Sequence, residues 1–214
     1  MTALFTHDLG DGLGLALREE WTVEPLHQLI LENLDHLRPW EPWAHGEQSV
    51  DGFRIYTRGA LTDWIEGRSL PAVILQDGAP IGVAGATIDA YLATAQLGYW
   101  IAARHQGRGA VTRAVAAILD HLSTTRAIQR TEIRTAVRNR RSRAVAERLG
   151  FTHEDTLRSA LPIGDHRDDL AVYGLSPGSD PSRPGHPSRQ HPRRDPEAVQ
   201  GTGRSVVDNT NYAS

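Results

Sequence analysis

The sequence predicts a single α/β domain built on a mixed sheet of about seven strands flanked by helices, with a disordered C-terminal tail. Three observations carry that reading. Segments of two-residue apolar alternation and segments with a helical apolar stripe follow one another in the order β-α-α-β-β-β-α-β-α-β-β. One strand runs into one helix across a join of glycines and arginines, "RHQGRGA" (Arg104–Ala110). After about Ser176 the pattern stops, and Pro, Arg, Gly and Ser replace the large apolar side chains. That composition buries too little surface to offset the entropy of ordering, so the domain is set at 1–175 and the tail at 176–214.

Each element has a local reason. Gly12–Glu19 alternates like a first strand, and "GDGLG" (Gly10–Gly14) reads as a plain loop because it precedes a strand and has no helix dipole to offer. Thr22 is expected to cap a helix over Val23–Leu37, whose Leu26, Leu29, Ile30, Leu34 and Leu37 fall on one face. "RPWEPW" (Arg38–Trp43) breaks that helix. Ser49 is expected to cap a second helix with Val50, Phe53, Thr57, Ala60, Leu61 and Trp64 as its stripe. Two apolar runs between Leu70 and Asp89 flank Asp77-Gly78, a hairpin dipeptide. Thr94–Ala102 is the fourth strand, Gly109 to about Leu122 the third helix, and Arg130–Val137 the fifth strand. Ser142–Leu149 is a short helix stopped by Gly150. Phe151–Ala160 and Asp168–Leu175 are the last strands, split by "LPIGDHR".

Composition excludes several chemistries. A net charge of −3 gives no basic footprint for nucleic acid or an anionic membrane. The absence of cysteine removes disulfides, thiolate metal sites and a cysteine nucleophile. Every basic side chain is arginine, so a Schiff-base lysine and a Walker-type phosphate site are excluded too. "MTALFTHDLG" lacks the basic n-region of a secretory signal, and no run reaches the roughly 18 apolar residues of a membrane span. No pair of histidines has a metal-ligand spacing; His27, His36 and His121 read as ordinary residues of helical patterns. The expectation is a soluble cytoplasmic protein without metal, nucleic acid or membrane.

The join at Arg104–Ala110 is the informative stretch. A helix start exposes unpaired N–H groups and the positive end of its dipole. Gly107 and Gly109 lack Cβ atoms, so the loop can curl until successive N–H groups share one concavity, a nest for a phosphate or pyrophosphate. Arg104 and Arg108 add charge around it. The dinucleotide fingerprint and the Walker motif both use this physics, and neither pattern is present. The plain alternative is a glycine-rich connection.

Arg104-x-x-Gly107-x-Gly109, together with Asn139-x-x-Ser142 and Leu149-Gly150-Phe151, resembles the signature of GCN5-related N-acetyltransferases, the GNAT superfamily. The resemblance runs from Leu13 to Leu175 and is greatest to the RimJ/RimL-type ribosomal-protein N-terminal acetyltransferases. It implies a GNAT-type, mostly antiparallel sheet and acetyl-CoA as co-substrate. It implies a pyrophosphate on the N–H groups of Gln106, Gly107, Arg108, Gly109 and Ala110, beside Arg104. The pantetheine arm would run between splayed fourth and fifth strands, against the backbone of Ile101 and Ala102, with a bulge at Trp100–Ala102 as the device for the splay. Asn139 would hold that arm, and Ser142 would protonate the departing thiolate. The plain alternatives are an N-cap for Asn139 and a first-turn hydrogen bond for Ser142. Ala146 stands where many acetyltransferases place a tyrosine.

The general base departs from the pattern. Gln96 occupies a strand position that is often acidic in the superfamily, and Ala160–Leu161 stands where the subgroup can place a carboxylate. Either water relays the proton to Glu41, Asp89 or Asp165, or the amine arrives neutral. An α-amine titrates near 7.7–8.0 and a lysine near 10.4, roughly, so a missing base favours an α-amine acceptor. "HLRPWEPWAHGE" (His36–Glu47) would line the acceptor side, with Trp40, Pro42 and Trp43 as an apolar wall and Glu41 or Glu47 attracting an ammonium. Tryptophans that plug the core are the alternative. "LPIGDHRDD" would close over the acceptor from the other side. The leading reading is transfer of an acetyl group to a protein N-terminus. A small amine acceptor (aminoglycoside, polyamine or amino acid) is the alternative, and a non-catalytic CoA-binding module is a third reading. The resembled group commonly forms homodimers, and the sequence marks no interface for one.

Overall fold

In the computed structural model, which describes residues 6–176, the elements are β1 (Thr6–Gly10), β2 (Leu13–Leu17), α1 (Val23–Leu37), α2 (Val50–Ile65), β3 (Ser69–Gln76), β4 (Ala79–Asp89), β5 (Thr94–Ile101), α3 (Ala110–Thr125), β6 (Arg130–Ala136), α4 (Arg140–Arg148), β7 (Thr152–Ile163) and β8 (His166–Leu175). They form one sheet in the order β1-β2-β3-β4-β5-β6-β8-β7. Every pair is antiparallel except β5 with β6. The tail expected beyond Ser176 lies outside the described residues.

Burial on both faces of the sheet explains the run "AVIL" in β3. Ala72 and Ile74 face α3, where they meet Ala114, Val115, Ile118 and Leu122. Val73 and Leu75 face the other way, onto Leu26 and Leu29 of α1. A strand covered on both sides reads as a continuous apolar segment. Each fully buried aliphatic side chain contributes about 1.5–3 kcal/mol, so these two half-layers hold the helices to the sheet. The stripe expected on α1 is buried at Leu26, Leu29, Ile30 and Leu37, with Asn33 beside them.

Several boundaries differ from expectation. The loop read at Gly10–Gly14 is the turn of a hairpin, because Thr6–Gly10 is an additional edge strand, which makes eight strands in all. Thr22 does not cap α1: its hydroxyl donates to the Glu19 carbonyl at 2.7 Å within a short 3₁₀ turn, Glu20–Thr22. Ser49 does cap α2, accepting from the Gly52 N–H at 3.2 Å. Of the expected α2 stripe only Thr57 is fully buried. Phe53 is partly buried, packing on the Leu26–Leu29 side of the core and on the buried Arg18 guanidinium, 4.3 Å from its ring centre. "LPIGDHR" is no loop: β7 and β8 continue through it to a tight turn at Gly164-Asp165. Asp77-Gly78 turns the β3–β4 hairpin with φ of 52° and 79°. Among the described residues, no helix is long and apolar enough to cross a membrane.

The feature that positions the site is a gap between two strands. Parallel pairing of β5 with β6 covers only Thr94–Leu97 against Arg130–Ile133. Beyond that β6 stays with β8 as far as Ala136↔Leu170, while β5 stays with β4 as far as Gly82↔Ile101. The two strands therefore diverge. The β4–β5 register is unbroken from Asp89↔Thr94 to Gly82↔Ile101, so the bulge expected at Trp100–Ala102 is not what opens them. Each strand follows its own antiparallel neighbour, and that alone separates them.

Candidate active site

Antiparallel alternation decides which backbone groups face the gap. The Ala102 N–H donates to the Ile81 carbonyl at 2.9 Å. One residue back, the Ile101 N–H turns the other way, toward β6, and so does that of Tyr99. No strand meets them there. Ile101 thus presents an open donor at the gap. Ala102, expected beside it, is fully occupied, because its carbonyl also accepts from the His105 N–H at 2.9 Å.

At the end of the gap the chain turns through a short 3₁₀ segment, Ala103–His105, into the glycine loop and α3. Gly107 and Gly109 have φ of 74° and 76°, left-handed values that favour glycine, and a Cβ at either would meet nothing within 4 Å. Among the described residues the N–H groups of Gly107, Arg108, Gly109 and Ala110 find no backbone acceptor. They open a concavity at the positive end of a 16-residue helix. The loop is bracketed from outside. The Ala103 N–H donates to Asn33 Oδ1 at 2.9 Å, Arg104 pairs with Glu32 at 3.4 Å, and the Gln106 amide bonds His36 Nε2 at 2.8 Å. Arg141 of α4 donates to Oε1 of the Gln106 side chain. Burial first, and then the Arg141 charge, lowers the His36 pKa, so its ring stays neutral at pH 7 and accepts from Gln106. Asn33, His36 and Arg141 are site residues that the sequence reading missed. His36 sits in an ordinary helical stripe, and only the tertiary contact gives it this task.

Replacing Gly109 with Ala should weaken acetyl-CoA binding about tenfold with the fold intact. A left-handed alanine costs about 1–2 kcal/mol, and the loop relieves that strain by turning its N–H groups away. Calorimetric titration with acetyl-CoA reads the change directly, and an unaltered affinity removes the nest from the site.

Across the gap lies the start of α4. Asn139 caps it, its Oδ1 accepting from the Ser142 N–H at 3.1 Å, while its Nδ2 makes no hydrogen bond among the described residues. Both expected roles are therefore available to Asn139: the oxygen serves the helix and the amide nitrogen remains free. Ser142 Oγ lies 3.1 Å from the Tyr99 hydroxyl, which is also 3.1 Å from the Ser142 carbonyl. Burial, the largest cause, pushes the Tyr99 pKa up to about 12. The phenol keeps its proton and donates its hydrogen bond to the Ser142 carbonyl, which can only accept, so in the contact between the two hydroxyls Ser142 can act as the donor. Tyr99 was also missed. It supplies from β5 a tyrosine beside the site, although Ala146 of α4 does not. Behind α4, Arg143 donates to the Tyr173 hydroxyl at 2.8 Å and that hydroxyl donates to Glu147 at 2.9 Å, which pins the helix to β8.

On the opposite face of the sheet the segment between α1 and α2 forms a wall. Trp43 packs against Trp100, with ring centres 6.4 Å apart, and donates its Nε1–H to Glu41 at 2.9 Å. Trp40 lies under the Arg138 guanidinium at 5.0 Å. Arg138 in turn holds Asp168 at 2.6 Å and the Pro39 carbonyl at 3.1 Å. Both tryptophans are half-buried. Glu47 and Asp165 are exposed.

Residues 16–152 match the family model of the acetyltransferase (GNAT) domain. The chain belongs to the GNAT acetyltransferase family. It is 30% identical over 177 residues to the protein YdaF of Bacillus subtilis (strain 168), covering 80% of this chain and 95% of that one. It is 31% identical over 169 residues to the ribosomal-protein-serine acetyltransferase of Escherichia coli (strain K12), covering 78% of this chain and 94% of that protein. Among solved structures it superposes on RimL, the ribosomal L7/L12 alpha-N-protein acetyltransferase in complex with coenzyme A. That match has a TM-score of 0.78 at 26% identity and covers 80% of this chain and 98% of the other. In this GNAT chain the glycine loop, the strand gap and the Asn139–Ser142 helix start are all present in one place.

Proposed function

We propose that this GNAT enzyme transfers the acetyl group of acetyl-CoA to the N-terminal α-amine of a protein. The observation that carries the reading is the juxtaposition of an N–H nest, a strand gap and the Ser142 hydroxyl, beside Tyr99, at the gap's far side. The nest fits a pyrophosphate in charge as well as shape, since Arg104 and Arg108 stand in the loop and Arg141 beside it. Gln106 to Ala110 would hold the diphosphate, and Ile101 and the Asn139 amide nitrogen would hold the arm. Acetyl-CoA supplies an acetyl group already activated as a thioester. Ser142 gives its hydroxyl proton to the departing sulfur, and the Ile101 N–H is placed to stabilise charge on an acetyl oxygen. The names of the Escherichia coli relative and of RimL support a protein acceptor.

Thiol release from acetyl-CoA tests the acceptor. Peptides with a free α-amine are expected to turn over. The same peptides blocked at the N-terminus, with lysine as their sole amine, are expected to be inert. Preference for an aminoglycoside, a polyamine or an amino acid overturns the protein acceptor in favour of a small-molecule enzyme. Binding of acetyl-CoA without turnover on any amine makes the chain a CoA-binding module.

A further inference from the structure

The carboxylates near this fold's catalytic gap are few, and their positions separate them. Asp89 pairs with Thr94 at the far end of the β4–β5 hairpin, five residues or about 17 Å along β5 from Tyr99, and its side chain accepts from the Leu92 N–H at 2.9 Å. Asp165 sits fully exposed at the tip of the β7–β8 turn. Asp168 is committed to Arg138 at 2.6 Å. Glu41 remains. Glu41 is half-buried, its carboxyl accepts one hydrogen bond from Trp43, and no ion pair ties it to a cation among the described residues.

The strand alternation places Glu41 against the gap. Successive residues of β5 point to opposite faces. Trp100 faces the α1 side and packs on Trp43, the residue that holds Glu41. Tyr99 faces the α3 side and bonds Ser142. Glu41 and Ser142 therefore flank the same two residues of β5 from opposite faces of the sheet, at the level where β6 has already left. The Glu41 charge lies near enough to the Tyr99 hydroxyl to help raise its pKa, after burial. A proton acceptor on one face and a proton donor on the other suit a reaction that removes a proton from nitrogen and delivers one to sulfur.

We propose that Glu41 is the general base that takes the proton from the attacking amine, an inference that rests on the acetyl-transfer function above. A C–N bond forms and the C–S bond breaks. Glu41 accepts the amine proton, Ser142 gives its own to sulfur, and Glu41 returns its proton through solvent to Ser142, so the balance closes. Burial pushes the Glu41 carboxyl up to about 7, opposed by the Trp43 hydrogen bond, and a base is most effective when it titrates near the working pH. The other charged or titratable groups bordering the wall include Arg38, His45 and Glu47 of the segment itself, Tyr99 of β5, and Arg138 after β6 with His166 and Asp168 of β8. The last three are bound to one another. The base has thus moved from the strand position held by Gln96 to the segment between the first two helices.

The test is the pH profile of kcat/KM for Glu41→Gln and Glu41→Asp with an α-amine peptide. Wild type should show two rising ionisations, the amine near 7.7–8.0, roughly, and a protein group about one unit below it. Glu41→Gln should lose the lower one and about 100-fold in kcat, with unchanged acetyl-CoA affinity. Glu41→Asp should keep the lower ionisation at reduced kcat, so the outcome stands even where one variant folds poorly. Wild-type turnover that survives Glu41→Gln with both ionisations intact overturns Glu41 as base and leaves the acetyltransferase untouched. Wild type that turns over no amine overturns the function itself, and the base with it.

Discussion

Ser142→Ala is expected to lower kcat by about 100-fold or more while acetyl-CoA affinity stays unchanged. The geometry explains the split. Among the described residues Ser142 Oγ is engaged only with Tyr99, and the helix cap uses the Ser142 backbone N–H, which alanine retains. The fold of α4 and the Asn139 amide are therefore preserved. What disappears is the hydroxyl that would give a proton into the gap. Stopped-flow or steady-state thiol release gives kcat, and calorimetry gives the affinity. An unchanged kcat removes Ser142 from the mechanism. A loss of affinity equal to the loss of rate makes it a binding group instead.

Tyr99 sharpens that experiment. Its hydroxyl touches the site only through Ser142, so its removal should act through Ser142 as well. Tyr99→Phe deletes a hydrogen bond worth about 0.5–1.5 kcal/mol, which corresponds to about two- to tenfold in kcat. In a chain already carrying Ser142→Ala the same change should do nothing. Such complete coupling identifies two groups acting as one unit, whereas additive losses would make Tyr99 an independent catalytic group.

The parts of this architecture that were legible in the sequence are those fixed by neighbours along the chain. The glycine loop needs only a strand, two left-handed residues and a helix start. Asp77-Gly78 turns its hairpin locally. Asn139 and Ser142 are three apart, which is the spacing of an N-cap and the N–H it satisfies. The parts that were not legible depend on distant partners. β1 is an exposed edge strand with no alternating apolar signal to mark it. β7 is the opposite edge, where Pro162 costs no ladder hydrogen bond, so a proline-glycine stretch that reads as a loop can be strand. Alternation in β5 assigns Tyr99 a face, but nothing in β5 announces that β6 will diverge. His36 and Glu41 share that blindness. One is an ordinary helix position and the other a residue between two tryptophans, until α3's loop and β5 are packed against them.

The divergence of β5 from β6 makes the position of β5 itself a functional quantity, and Gly82 sets it. A Cβ on Gly82 would lie 2.3 Å from the Trp100 carbonyl oxygen and 2.8 Å from the Ile101 Cα, both backbone atoms that cannot rotate aside. Gly82→Ala must push β5 away from β4 at the two residues that border the gap. Overpacking of this kind costs about 1–3 kcal/mol and occasionally more. In a domain of this size each kcal/mol lowers Tm by about 2–4 °C, so a fall of roughly 5–10 °C is expected. The same displacement moves the Ile101 N–H and the Trp100–Trp43 contact, so KM for acetyl-CoA and for the acceptor should rise together. Gly98 is the control. It lies on the same strand, opposite Gly85, and an added Cβ there meets nothing within 4 Å. Gly98→Ala should leave Tm unchanged or slightly raised, because alanine loses less backbone entropy in a strand. Equal Tm values for the two variants would mean that β5 tolerates displacement. Close apposition to β4 would then not be what holds Ile101 and Tyr99 at the gap.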